Sequence, residues 1–290
     1  MKKTLLSIVA FFVTLLIYGQ TPPPSTDIHL FDLKEKKGKI SISKGKNITD
    51  RAGYDNQPSF FNNDYILYSS HQGGQNDIMI YDTNKETTSN LSNSKDSEYS
   101  PTPIPGLNSY AVVRVEEDNS QRLWMYHMDK KTKPQIIFEK IMPVGYFAIS
   151  DRDVLMFVLG RPTTLVLANM EIVDDDIITS NIGRTIRQIP GTREFTFERT
   201  EEDGSQIIYR LERSKNEFSK VVQKLEGSMD WTITQEGTYI TSVGTKILAF
   251  NPKHHTEWQE VSDLGAIASK GITRMTVNQE NDKLALVINN

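Results

Sequence analysis

Residues 54–82, YDNQPSFFNNDYILYSSHQGGQNDIMIYD, read as three short strands joined by turns, over 58–61, 65–70 and 77–82. Tyr65-Ile-Leu-Tyr68 is a continuous apolar run of the kind a strand shows when both faces are covered, and Ile78, Ile80 and Asp82 alternate with Met79 and Tyr81. Such a sheet needs neighbours over its faces. The rest of the chain reads as imperfect copies of it, which points to a ring or solenoid of repeats.

Before this unit, 28–33 (IHLFDL) is a strand of the same type as 78–82, and 39–43 (KISIS) alternates like an outer strand. Blade-sized units follow over 54–92, 98–140, 143–182, 184–225 and 228–261, and the chain ends with 272–277 (ITRMTV) and 284–288 (LALVI). Aligning the first strands puts Gln57, Ser100, Tyr146, Ile186, Asp230 and Arg274 in register, at steps of 43, 46, 40, 44 and 44 residues. A four-stranded propeller blade takes roughly 40 to 50 residues. The C-terminal tail supplies the first two strands of a blade and the N-terminal segment the last two, so pairing 28–33 beside 284–288 would leave the ring no open edge. The expected fold is all-β: a single-domain, six-bladed propeller over 28–290 with four-stranded antiparallel blades, the last closed by N-terminal strands. The regular spacing disfavours an open solenoid or two stacked sandwiches.

Lys2-Lys3, an apolar run over 5–18 and Gly19-Gln20 describe a signal peptide over 1–20, followed by a Pro-rich spacer over 21–27. No basic cluster follows the apolar run, as a retained anchor would favour. With no Cys there is neither a disulfide framework nor a lipid-attachment residue, and a β-ring of this size buries enough surface without them. The chain carries 33 Lys+Arg against 37 Asp+Glu, a net charge of -4. Residues 1–20 hold two Lys and no acid, so cleavage takes the balance to -6, which argues against nucleic acid and anionic membrane as partners. A periplasmic or secreted monomer without cofactor or later membrane span is expected.

The pattern YDNQPSF, YILYSS, DIMIYD and NLS resembles the repeat of TolB-like, WD-repeat-like propellers, whose third strand ends in Tyr-Asp. The third to fifth units lack that ending, and Asn278-Gln-Glu-Asn281 replaces the usual Pro-Asp-Gly turn. The run from Glu98-Tyr-Ser-Pro-Thr102 through Val113-Arg-Val-Glu116, Gln121-Arg-Leu-Trp124, Pro143-Val-Gly-Tyr146 and Asn181-Ile-Gly-Arg184 is similar to a group of exported TolB-like proteins. That resemblance implies six blades and supplies no activity.

Equivalent positions of a propeller converge on its axis. One ring would hold Asp55, Glu98, Val144, Arg184, Ser228 and Ile272, and a second, two residues on, Gln57, Ser100, Tyr146, Ile186, Asp230 and Arg274. Paired carboxylates there would suit a glycan-active hydrolase or lyase, with Arg holding a sugar acid. The plainer reading is that they cap loops and pair with one another. Arg114 and Glu116 share a strand face with Arg122 across a turn, so a cross-strand ion pair is expected, with a ligand contact at the rim as the alternative. The five His show no metal-ligand spacing, and Asp174-Asp-Asp176 reads as a solvated turn. No nucleophile elbow, metalloprotease helix or phosphate loop occurs. The preferred function is a non-catalytic module that binds an envelope protein or glycan through polar upper-face loops at 71–76, 117–120 and 201–204.

Overall fold

The computed structural model describes residues 23–172 and 174–290; the signal peptide read over 1–20 lies outside the described residues. The chain opens with β1 (Thr26–Lys36) and β2 (Lys39–Asn47). Blade one is β3 (Asp55–Phe60), β4 (Tyr65–Gln72), β5 (Gln75–Asp82) and β6 (Thr87–Asn90). Blade two is β7 (Ser97–Pro103), β8 (Ser109–Val115), β9 (Gln121–His127) and β10 (Gln135–Ile136). Blade three is β11 (Val144–Ser150), β12 (Asp153–Val158), β13 (Thr164–Asn169) and β14 (Asp175–Ser180). Blade four is β15 (Ile182–Gln188), β16 (Phe195–Thr200), β17 (Gln206–Glu212) and β18 (Glu217–Gln223). Blade five is β19 (Trp231–Ile233), β20 (Tyr239–Val243), β21 (Lys246–Phe250) and β22 (Gln259–Asp263). After a 3-10 turn at Gly265–Ala268 come β23 (Ile272–Val277) and β24 (Lys283–Asn289).

Blade six has the order β2-β1-β24-β23, so the head of the chain completes the sheet begun by its tail. The pairing is antiparallel, Ile28 opposite Val287 and Phe31 opposite Leu284. The middle strands explain why the closure holds. Residues 284–288 of β24 are buried throughout, so this apolar run is covered on both faces. On one side Leu284 and Leu286 join Ile240 and Ile247 of blade five; on the other Ala285 and Val287 join Ile66, Tyr68 and Met79 of blade one. Four further apolar layers lie between the remaining neighbouring blades, which makes the core a closed circle of inter-blade sandwiches.

Several elements differ from the sequence reading, among them β3, which runs over 55–60 rather than 58–61, and β2, which extends to Asn47. β1 begins at Thr26, inside the stretch read as spacer, because Thr26 is buried and anchored to blade one: its N–H donates to Gly53 O at 2.9 Å and its hydroxyl to Asp55 O at 2.9 Å. β10 keeps only Gln135 and Ile136 of the outer strand read over 134–140, and Pro134, which has no N–H to donate, precedes it. β19 is reduced to three buried residues.

The inner strands carry the feature that decides the site. The register slips by a bulge between Asn56 and Ser59, Tyr99 and Thr102, Val144 and Tyr146, Ile182 and Ile186, and Ile272 and Arg274. Gln57 and Ser100 take positive φ there, 56° and 54°, each followed by a proline that cannot join a ladder.

Candidate functional site: the axial channel

Each blade is a meander that starts at the axis, so the inner strands run alike: their first residues gather at one mouth, the upper, and their last at the other. Gln57, Ser100, Tyr146, Ile186, Asp230 and Arg274 all line the channel, whose cavity measures about 320 Å³. Toward the lower mouth it opens into a wider space of about 680 Å³ bordered by Pro105, Gln188, Arg193, Gln235 and Gln279.

The other expected ring is not assembled. Of its members only Arg184 lines the channel; Asp55 and Glu98 are fully buried within the blades. For Asp55 and Glu98 the bulges are the cause. Residues two apart on a regular strand share a face, but an extra residue between them turns the second the other way. Asp55 Oδ1 accepts from Arg51 Nη2 at 2.6 Å, while its Oδ2 has no hydrogen-bond partner among the described residues. Glu98 accepts from the Ser92 hydroxyl at 2.9 Å, the Tyr126 hydroxyl at 2.9 Å and the Ser94 hydroxyl. Burial pushes the Glu98 pKa up despite those three donors.

Asp230 faces the channel wall but is engaged on every side. It accepts from the Thr185 hydroxyl at 2.9 Å, from Arg187 Nη2 at 3.1 and 3.0 Å, and from the Met275 N–H at 2.9 Å. Arg187 Nη2 also reaches Met275 O at 3.2 Å, so three consecutive inner strands, β15, β19 and β23, are tied through one carboxylate. Sequence reasoning missed Thr185 and Arg187. The available signal was Arg184-x-x-Arg187 opening a strand that meets an aspartate at the axis.

Gln57 Oε1 accepts from the Ser69 hydroxyl at 3.0 Å and from the Ser100 N–H at 2.8 Å, linking the first two inner strands. Arg274 crosses from blade six to blade three, which face each other in a ring of six. Its Nη2 donates to the Tyr146 hydroxyl at 2.9 Å and its Cζ lies 4.8 Å from that ring's centre. Arg184 donates to Met229 O and Thr273 O, each at 2.9 Å. Tyr54 lies within electrostatic range of both arginines, with its phenol pushed up to about 12 by burial.

Arg114, Glu116 and Arg122 form a separate cluster on blade two. Arg122 Nε donates to Glu116 Oε1 at 2.7 Å, the cross-strand pair expected. Arg114 pairs instead with Asp96, Nε to Oδ2 at 2.7 Å, and lies 4.3 Å over the Trp124 ring, whose Nε1 donates to Glu116 at 3.0 Å. Among the described residues no group of three His, Asp or Glu is placed to hold a metal ion, and no helix is long and apolar enough to cross a membrane.

A closed six-bladed β-propeller, with the last blade shared between the chain ends and a polar axial channel, is the class of protein these features define. No family model and no curated protein matches the sequence. Among solved structures the chain is similar to TolB from Agrobacterium tumefaciens, with a TM-score of 0.71 at 10% identity, covering 92% of this chain and 99% of that one. It is also similar to TolB from Acinetobacter baumannii, with a TM-score of 0.60 at 8% identity, covering 89% of this chain and 63% of that one. An oligogalacturonate lyase in complex with manganese gives a TM-score of 0.60 at 9% identity, covering 87% and 83%. At these identities the likeness concerns the fold alone, that of a six-bladed β-propeller.

Proposed function

We propose that the protein is an exported, non-catalytic binding or scaffold propeller that holds an envelope protein or glycan at its upper face and channel. The observation that carries this reading is the state of the three acids a glycosidase or lyase would need. Asp55 and Glu98 are sealed inside blades, and Asp230 is spent on Arg187, Thr185 and Met275. A general acid and base pair needs two carboxyl groups facing one open space about 5 to 9.5 Å apart, and among the described residues the narrow part of the channel is lined by Asp230 as its single acid. The turns joining β4 to β5, β8 to β9 and β16 to β17 stand at the upper mouth, where the His71 N–H donates to Tyr54 O at 2.8 Å. Polar turns on a rigid ring suit recognition. The TolB-like fold supports export and partner binding by analogy alone.

The test uses the chain from residue 21, displayed against envelope extract with cross-linking and on a glycan array, alongside turnover assays on polyuronides. Saturable capture of one partner, lost on Glu117→Lys with Glu202→Lys and accompanied by no bond cleavage, is the expected result. Cleavage that disappears in Asp230→Asn would overturn the reading.

A further inference from the structure

Four charged side chains line the channel: Arg184, Arg187, Arg274 and Asp230. Arg187 and Asp230 neutralise each other at 3.0 Å. The other two cations have no carboxylate in contact among the described residues. Arg184 is held by the carbonyls of Met229 and Thr273, and Arg274 by a phenol hydroxyl and the face of the same ring. Carbonyl and hydroxyl oxygens satisfy N–H groups without cancelling charge. The channel therefore carries two positive charges in excess, inside a chain whose net charge is -4.

Both guanidiniums are only half-exposed, and they are neighbours: Arg184 bonds the carbonyl of Thr273, the residue before Arg274. Burial and the nearby Arg274 charge lower the Arg184 pKa, yet a guanidinium stays charged at any physiological pH. Asp230 attracts both at longer range, yet that one carboxylate faces three guanidiniums, which leaves the space short of negative charge. The donors suit an anion. Arg274 spends one of its five N–H groups on Tyr146, which leaves a fork free for a bidentate oxyanion.

We propose that the channel is a binding site for a small doubly charged oxyanion, held between Arg184 and Arg274 beside the Tyr146 hydroxyl. The inference deepens, and rests on, the reading of the channel as a binding rather than catalytic feature. A cavity of about 320 Å³ suits a small molecule rather than a folded segment. Gln57, Ser100 and Thr232 supply neutral hydrogen-bonding groups along the wall for the rest of the ligand. Entry is from the lower mouth, since the Arg274–Tyr146 contact bridges opposite blades near the upper one. Dicarboxylate and phosphate share the required chemistry, two negative charges on planar or tetrahedral oxygens.

The experiment is calorimetric titration of the chain from residue 21 with succinate, inorganic phosphate and the neutral succinamide, at low and raised salt. One anion per chain, binding that weakens as salt rises, and no response to succinamide are expected. Arg184→Gln and Arg274→Gln should each weaken binding about tenfold or more, as loss of a charge-assisted bidentate contact implies, while Arg114→Gln leaves it unchanged. The tighter of succinate and phosphate identifies the source chemistry. Circular dichroism checks that each variant folds, and Arg184→Gln decides the matter if Arg274→Gln does not. Absence of binding by either anion at millimolar concentration, equal binding of succinamide, or affinity that survives the channel substitutions would overturn the proposal. Partner capture through Glu117 and Glu202, measured on the same preparation, separates the outcomes: capture without anion binding refutes the anion site alone.

Discussion

Replacing Asp230 by alanine would cut the one carboxylate that ties three inner strands together. The side chain is 1% exposed, while Arg187 keeps 30% of its side-chain surface in solvent. Breaking a buried ion pair by removing one partner costs about 3 to 5 kcal/mol. Partial solvation of Arg187 returns some of this, while the stranded Thr185 hydroxyl and Met275 N–H add unsatisfied donors. A loss of about 3 kcal/mol is expected. For a chain of this length each kcal/mol lowers the melting temperature by roughly 2 °C, so the midpoint should fall by about 6 °C. Asp230→Asn keeps one acceptor oxygen, enough for either the Thr185 hydroxyl on Oδ1 or the Met275 N–H on Oδ2 but not both, so it should lose less than Asp230→Ala without restoring the tie. Urea unfolding followed by tryptophan fluorescence measures the loss, and a double-mutant cycle with Arg187→Met isolates the pair. A loss below about 1 kcal/mol for Asp230→Ala, or a coupling of zero, would refute the view that this carboxylate is a structural tie.

Gly183→Ala should destabilise by about 2 to 4 kcal/mol. Its Cβ would lie 2.2 Å from Glu198 Oε1 and displace that carboxylate from Lys224 at 2.9 Å and Trp231 Nε1 at 3.2 Å, a shift that denaturant titration would register. Glu98 and Asp153 should give pH dependences of opposite sign. Burial raises the folded-state pKa of Glu98, so the folded chain holds that proton more tightly than the unfolded chain. Its contribution is therefore lost as pH rises above the ordinary carboxylate range, and Glu98→Gln should flatten that limb of the stability profile. Burial alone would raise the Asp153 pKa, but hydrogen bonds from Asn169 and Arg213 and the Arg213 charge hold it below the ordinary value. Its contribution is present at neutral pH and fades as pH falls through the acid range, an effect that Asp153→Asn should remove. Deleting residues 26–47 takes away β1 and β2 and exposes the edge of β24, so light scattering should show association.

The architecture was legible because propeller strands advertise themselves by period. Residues 65–68 read as a strand covered on both faces, and 66–68 are buried between blades, as is the apolar run 284–288 that closes the ring. The steps between units placed Gln57, Ser100, Tyr146, Ile186, Asp230 and Arg274 around one axis, where all six lie. The same arithmetic failed two residues upstream. Equivalence of repeat positions puts Asp55 and Glu98 at the axis as well, but bulges at Gln57 and Ser100 turn them into the blades. Pro58 and Pro101 were the warning, since a proline inside a strand marks an edge or a bulge. The partners of the axial charges were not legible. That Asp230 would choose Arg187 over Arg184 or Arg274 depends on the rotation of successive blades, which spacing along the chain does not encode.

Everything said of the axis depends on the ring being shut by its two ends, and hydrogen exchange reads that closure directly. With Ile28 opposite Val287 and Phe31 opposite Leu284, the amides of β1 should be as strongly protected as those of β24 and open only with global unfolding. Exchange of β1 within seconds while β24 stays protected would contradict the closure, and the axial site would go with it.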